Sequence, residues 1–111
     1  MRISNTFFSV LLVVVSVYLS SCTKADVTIY VENNSSVTVE VKYNDITKVL
    51  GPGGSTTFET SQWLLPDLYP EADVYYRKLG ESAWKTKKLS GGSRTGDSRL
   101  CFIITDYDLE I

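Results

Sequence analysis

The sequence of 111 residues contains no histidine, only two cysteines and a small excess of acidic over basic side chains. Without histidine it lacks the commonest general base and the commonest transition-metal ligand. We therefore expect no enzyme activity, no metal site and no other cofactor. The formal net charge of −2 also disfavours nucleic-acid binding, which normally shows a strong basic excess.

The composition otherwise favours one folded domain. Hydrophobic residues make up 43% of the chain and charged residues 22%, which is typical of globular proteins and disfavours intrinsic disorder. A chain of this length has room for a single domain.

One apolar run lies near the N-terminus and reads FFSVLLVVVSVYL over residues 7–19, after a start with one basic side chain, Arg2. A transmembrane helix needs about 20 apolar residues, whereas a run of this length is typical of the core of a secretory signal peptide. An uncleaved anchor helix over residues 7–21 and an ordinary signal peptide without lipidation remain the alternatives.

The residues that follow this run, Leu19-Ser20-Ser21-Cys22, resemble the lipobox of bacterial lipoproteins. The resemblance covers residues 1–22. It implies cleavage between Ser21 and Cys22, removal of residues 1–21 as a signal peptide, and lipid on the Cys22 thiol as a membrane anchor. Thr23, in place of Asp at the second mature position, implies the outer membrane of the cell envelope and leaves open the periplasmic or external face. We expect residues 22–26 to form a short tether.

From Val27 onward the pattern is that of β-strands. The stretches VTIYVE and VTVEVKY alternate apolar with polar residues, and the turn formers Asn33, Asn34, Ser35 and Ser36 separate them. This arrangement predicts a β-hairpin. Shorter strands, ITKVL and STTFET, follow the corners at residues 44–45 and 51–54. The GPGG corner is predicted as a turn, and an anion-binding loop is the weaker alternative because no Lys-Ser/Thr ending follows it.

A second hairpin is predicted from VYYRKL and AWKTKKL, and RLCFIIT is predicted as a central strand. About seven strands without a helix predict an all-β fold for residues 27–111, a small antiparallel β-sandwich, with a small β-barrel as the alternative. The domain loosely resembles the immunoglobulin- or transthyretin-like sandwiches of small envelope lipoproteins.

Two apolar features are assigned to packing. Cys101 stands alone if Cys22 is acylated, and we expect it in the core, with intermolecular pairing or a functional thiol as alternatives. Residues 61–73, which contain Pro66 and Pro70, are predicted to cap one end of the sandwich with Trp63 as a plug; a ligand lid is the alternative.

The C-terminal carboxylates, Asp106, Asp108 and Glu110, are predicted to form a solvated acidic face rather than a metal site.

Candidate binding residues lie on the second hairpin and in the loop after it. The hairpin carries Arg77, Lys85, Lys87 and Lys88, which either recognise an anionic partner or only protect an exposed sheet edge. The glycine-rich stretch over residues 90–98 carries Arg94 and Asp97, and loops on a rigid β scaffold often bind partners.

These features favour a lipid-anchored, non-catalytic binding or assembly module of the bacterial envelope, with another envelope protein or a glycan as its partner. Two alternatives remain. One is an inhibitor or immunity lipoprotein directed against a toxin or hydrolase. The other is a carbohydrate-binding module, which would need exposed aromatic platforms.

Overall fold

The structure, a computed structural model, describes residues 22–111. The predicted signal peptide and Ser21 lie outside the described residues. The fold is all-β, as predicted, and its seven strands are β1 (Thr23–Asn34), β2 (Val39–Tyr43), β3 (Ile46–Leu50), β4 (Ser55–Leu64), β5 (Glu71–Lys78), β6 (Lys85–Ser90) and β7 (Gly96–Thr105). The part of the chain that is described contains no helix long and apolar enough to span a membrane.

The strands form two sheets. One has three strands in the order β4-β1-β7 and the other has four in the order β3-β2-β5-β6. The sheets do not close into a barrel, so the sandwich prediction is confirmed. Side chains alternate across each strand, and the inward-facing ones form one core whose fully buried members include Val27, Ile29, Val31, Val39, Val41, Val74 and Ile104.

The predicted hairpin between the first two strands is wrong. β1 pairs with β4 and β7, whereas β2 pairs with β3 and β5. The residues between them form a crossover from one sheet to the other, organised by the fully buried side chain of Asn33. Its Nδ2 donates to the carbonyl oxygens of Val37 at 2.8 Å and Leu50 at 3.0 Å, and its Oδ1 accepts from the Ser35 amide at 3.0 Å. These residues form a turn, as predicted, but the turn joins the two sheets instead of two strands of one sheet.

The last strand is also not the central antiparallel strand that its apolar sequence predicts. β7 lies at an edge of the three-stranded sheet and runs parallel to β1, from the pair Ala25↔Gly96 to the pair Asn34↔Thr105. The centre of that sheet is β1, which makes ten-residue ladders on both sides.

The tether predicted for residues 22–26 does not form. β1 begins at Thr23, whose partner on β4 is Leu64, and Ala25 is fully buried. The folded sandwich therefore begins at the residue after Cys22.

Three local predictions are confirmed. Asn44 and Asp45 both have positive φ, 48° and 63°, as a two-residue type I′ turn requires, and they join β2 to β3 in a hairpin. The GPGG corner is a turn with Gly53 at φ 82°. β5 and β6 form the second predicted hairpin.

The strand directions give the sandwich two distinct ends. At the Cys22 end lie the start of β1, the β4–β5 connection over residues 65–70 and the β6–β7 connection over residues 91–95. At the Ile111 end lie the crossover over residues 35–38, the turn over residues 51–54 and residues 106–111.

Candidate functional surfaces

The basic residues of the second hairpin do not share a face. Lys85 and Lys87 lie opposite the inward-facing Tyr76 and Val74 of β5, whereas Lys88 lies opposite the outward-facing Asp73. β6 is the edge strand of its sheet, a position where lysines hinder edge-to-edge aggregation.

Each of these three lysines also lies near an acidic group or an aromatic ring. The Lys88 ammonium lies 3.5 Å from the Glu71 carboxylate, and the Lys85 ammonium lies 3.7 Å from that of Glu110. The Lys87 ammonium lies 5.8 Å from the centre of the Phe102 ring. The predicted basic surface is therefore divided between two faces and largely neutralised.

Arg77 belongs to a stack on the outer face of the four-stranded sheet. Its guanidinium lies 3.9 Å from the ring centre of Trp84 and 3.4 Å from the carboxylate of Glu40. The Lys42 ammonium approaches the same Trp84 ring at 4.7 Å and the Tyr75 ring at 5.4 Å. Such contacts are favourable, and Tyr75 remains 38% exposed beside them.

Arg94 holds two loops together at the Cys22 end. Its Nε donates to the Leu68 carbonyl oxygen at 2.8 Å and its Nη2 to that of Leu65 at 3.0 Å, while its own carbonyl oxygen accepts from Thr23 Oγ1 at 3.1 Å. The side chain predicted for partner binding is thus engaged by the backbone of the β4–β5 connection.

Asp97 lies on the outer face of the three-stranded sheet, in register with Asp26 of β1. One row further along, Arg99 lies opposite Thr28, which in turn lies opposite Glu59 of β4. The short side chains between these charges leave an open depression of about 670 Å³. The sequence did not predict this polar outer face, because neither partner strand of β1 was identified.

Several contacts order this face. The Arg99 guanidinium lies 4.7 Å from the ring centre of Tyr30, and Ser61 Oγ donates to Asp26 Oδ1 at 2.8 Å. None of the four ion pairs within residues 22–111 includes Arg99, Asp97 or Glu59. The face therefore presents charges of both signs to solvent.

Within residues 22–111, no group of three or more Cys, Asp or Glu side chains converges in a way that could hold a metal ion. The C-terminal carboxylates do not form the predicted single face, since residues 106–110 are turns. Asp106 accepts from the Ser36 amide at 2.8 Å, and Asp108 accepts from the Thr105 amide at 2.9 Å. These two carboxylates fasten the C-terminal segment to the end of the sandwich.

One titratable group near this segment is perturbed. Burial of Tyr76 raises the pKa of its phenol above 10.0, and the negative charges of Asp108 and Glu110 raise it further. Its ring contacts Phe102 edge-to-face with the ring centres 5.1 Å apart, so the residue belongs to the core of the sandwich.

Cys101 is exposed, contrary to the core position predicted for it. In β7 the inward-facing residues are Leu100, Phe102 and Ile104, so Cys101 faces out beside Tyr30. Its register position is eight residues along β1 from Cys22, about 26 Å at 3.3 Å per residue. A disulfide between the two cysteines is therefore excluded, because it requires Cα atoms less than about 7 Å apart.

Residues 61–73 do not cap the core as predicted, since residues 61–64 end β4 and residues 71–73 begin β5. Trp63 is 70% exposed rather than a plug, and Leu68 and Tyr69 are 50% and 55% exposed. Within residues 61–73 only Leu64, Pro70 and Ala72 are buried. The loop borders a second open depression of about 610 Å³, lined by Gln62, Leu64, Asp67, Leu68, Tyr69, Glu71, Ser90 and Gly91.

Comparison with known proteins found no matching family profile, no matching curated protein and no matching solved structure.

Proposed function

We propose that this protein is a lipid-anchored, non-catalytic binding or assembly module of the bacterial cell envelope. The observation that carries the proposal is the position of Cys22. The cysteine of the lipobox-like sequence directly precedes the first strand of a complete β-sandwich. Cleavage before Cys22 would release the whole fold without cutting into it.

The anchoring part of the proposal has a direct test. Cells expressing the full chain are grown with an alkyne-labelled fatty acid, and the purified protein is examined for label and intact mass. We expect the label on the wild type and on Cys101→Ser, and its loss in Cys22→Ser. The two cysteines are matched controls for each other. Label retained in Cys22→Ser, or absent from the wild type, contradicts the proposal.

The binding part concerns the polar outer face of the three-stranded sheet, lined by Asp26, Glu59, Asp97 and Arg99. This face is concave, and charges of both signs point from it to solvent. A polar face that carries charges of both signs suits another protein as a partner more than it suits an apolar ligand. The non-catalytic part rests on the lack of histidine in the sequence.

Cross-linking in native envelopes, followed by affinity purification, tests this surface. The double variant Glu59→Arg/Asp97→Arg is expected to lose the partners that the wild type retains. Lys88→Glu reverses a charge on the opposite sheet and is expected to keep them. The choice of surface is wrong if the double variant keeps the partners.

A further inference from the structure

The Cys22 end of the sandwich carries a set of exposed apolar side chains that the core does not use. They are Trp63 at 70% exposure, Leu65 at 37%, Leu68 at 50% and Tyr69 at 55%, and we call them the Trp63 patch. The four lie within seven residues of sequence, and grouped apolar side chains mark an interaction site more often than scattered ones do. The composition also matches the belts of Trp and Tyr that lie at membrane–water interfaces.

Hydrogen bonds hold the β4–β5 connection, which carries Leu65, Leu68 and Tyr69 of this patch, while Trp63 lies in β4. Leu65 to Leu68 form a turn, with the Leu68 amide donating to the Leu65 carbonyl oxygen at 3.2 Å and Asp67 at φ 67°. Arg94 binds the carbonyl oxygens of both ends of that turn. The exposed side chains are therefore displayed on a fixed backbone.

The base of the loop is fixed as well. The Gln62 side-chain amide exchanges two hydrogen bonds with the backbone of Glu71, and the Gly91 amide donates to the Pro70 carbonyl oxygen at 3.1 Å. A fixed apolar surface requires no ordering of the loop when a partner covers it, which lowers the entropic cost of docking.

The patch also lies beside Cys22. Thr23 pairs with Leu64, so Leu65 is the next residue opposite Cys22, and strands paired in this way are about 5 Å apart. Because β1 begins at Thr23, no flexible segment separates the cysteine from the folded sheet. If Cys22 carries a lipid, as proposed above, the membrane lies at this end of the domain.

We propose that the Cys22 end docks on the bilayer surface, with the Trp63 patch inserted at the boundary between headgroups and acyl chains. The inference rests on the proposed function in taking Cys22 as the point of membrane attachment. Lipid on Cys22 alone would fix one point and leave the domain free to tilt. The patch supplies further contacts and sets an orientation in which the Ile111 end points away from the membrane.

Charge does not explain such docking. Lys24 is exposed next to Trp63, but Asp67 and Glu71 are exposed at the same end, and the Arg94 guanidinium is engaged by backbone carbonyls. Attraction of an anionic bilayer needs an excess of cations. Contact through the patch is therefore expected to be insensitive to salt, in contrast to electrostatic attachment.

The two tryptophans provide the test, because Trp63 lies at the Cys22 end and Trp84 lies just before β6, at the other end. The full-length protein, purified from membranes, is reconstituted in phosphatidylethanolamine/phosphatidylglycerol vesicles containing phosphatidylcholine brominated near the headgroup. In Trp84→Phe, the emission of Trp63 is expected to be blue-shifted and largely quenched. In Trp63→Phe, the emission of Trp84 is expected to be unquenched, and neither result should change in 0.5 M salt.

A matched pair of leucines tests the patch itself. Leu68 and Leu79 are exposed to similar extents, 50% and 56%, but Leu79 follows β5 at the Ile111 end. In the Trp84→Phe background, Leu68→Ser is expected to lower the quenching of Trp63, and Leu79→Ser to leave it unchanged. Equal quenching of both tryptophans, or none of Trp63, overturns the proposal.

Other occupants of the patch give different results. If glycan fragments or a second copy of the chain cover the patch, Trp63 emission changes with these and is not quenched by brominated lipid. This result also overturns the proposal. The mass of the same preparation reports lipid on Cys22. An unacylated protein that still shows Trp63 quenching contradicts the anchoring proposal and supports the docking one.

Discussion

The side-chain amide of Asn33 donates a hydrogen bond to the carbonyl oxygen of Leu50 at 3.0 Å and so joins the end of β1 in one sheet to the end of β3 in the other. No apolar side chain can replace this link, because it would leave the buried carbonyl oxygen of Leu50 and the half-buried one of Val37 without this donor.

Asn33→Ala is therefore expected to destabilise the sandwich. Loss of a buried group that satisfies several backbone partners typically costs about 2–4 kcal/mol. Urea denaturation followed by tryptophan fluorescence measures the change. Asn34→Ala, at the exposed neighbouring position, is the control and is expected to change the free energy of unfolding by less than about 0.5 kcal/mol. Equal effects of the two substitutions would contradict this role of Asn33.

Arg94→Ala is expected to loosen the β4–β5 connection more than it destabilises the whole fold. The side chain is only half-buried, so its two bonds to backbone carbonyls should contribute about 1 kcal/mol in total. Hydrogen exchange of the Leu68 amide should accelerate markedly, while exchange in β1 stays near that of the wild type. Arg94→Lys keeps the charge but not the paired donors, so rescue by lysine would contradict the hydrogen-bonding explanation.

Cys101 is expected to react with a maleimide in the native protein, without denaturant, because its thiol lies on the outer face of β7. Cys101→Ala is expected to cost less than about 0.5 kcal/mol of stability. Leu100→Ala, one residue earlier and facing inward, is expected to cost about 2–5 kcal/mol. A thiol that reacts only after unfolding would indicate the core position expected from the sequence.

Stability is expected to depend on Tyr76 at high pH. Burial and the nearby Asp108 and Glu110 raise the pKa of its phenol in the folded state above that in the unfolded chain. The folded state therefore keeps a proton that the unfolded state releases. The resulting stabilisation is complete below pH 10 and is lost as the pH rises through the folded-state pKa. Urea denaturation between pH 8 and pH 12 should show a smaller loss in Tyr76→Phe; parallel curves would contradict the prediction.

Local sequence patterns predicted the features that depend on neighbouring residues. The alternation of apolar and polar side chains predicted β-strands. The Asn44–Asp45 pair predicted the β2–β3 turn, because left-handed conformations are accessible to these residues. Local patterns did not predict which strands pair or to which sheet each strand belongs. Asn33 and Ser35 suit a tight hairpin as well as a crossover, and only their burial between the two layers distinguishes the two.

The candidate site illustrates the same limit. Spacing alone identified Lys85, Lys87 and Lys88 as cations on one ribbon, but it did not give their partners, which come from Glu110, Phe102 and Glu71 in distant segments. The exposure of Cys101 could have been anticipated from strict alternation with Leu100 and Phe102. The apolar residues on both faces of that strand concealed the pattern.

The parallel pairing of β1 with β7 has a consequence for the order of events during synthesis. The first strand of the domain obtains one of its two partners only from residues 96–105, near the other end of the sequence. Contacts between such distant segments slow folding, because a long loop must close before they form. A nascent chain that lacks its last strand cannot complete the three-stranded sheet. If the protein is exported as proposed, the domain cannot finish folding before residues 96–105 are available, which favours an unfolded chain during passage through the membrane.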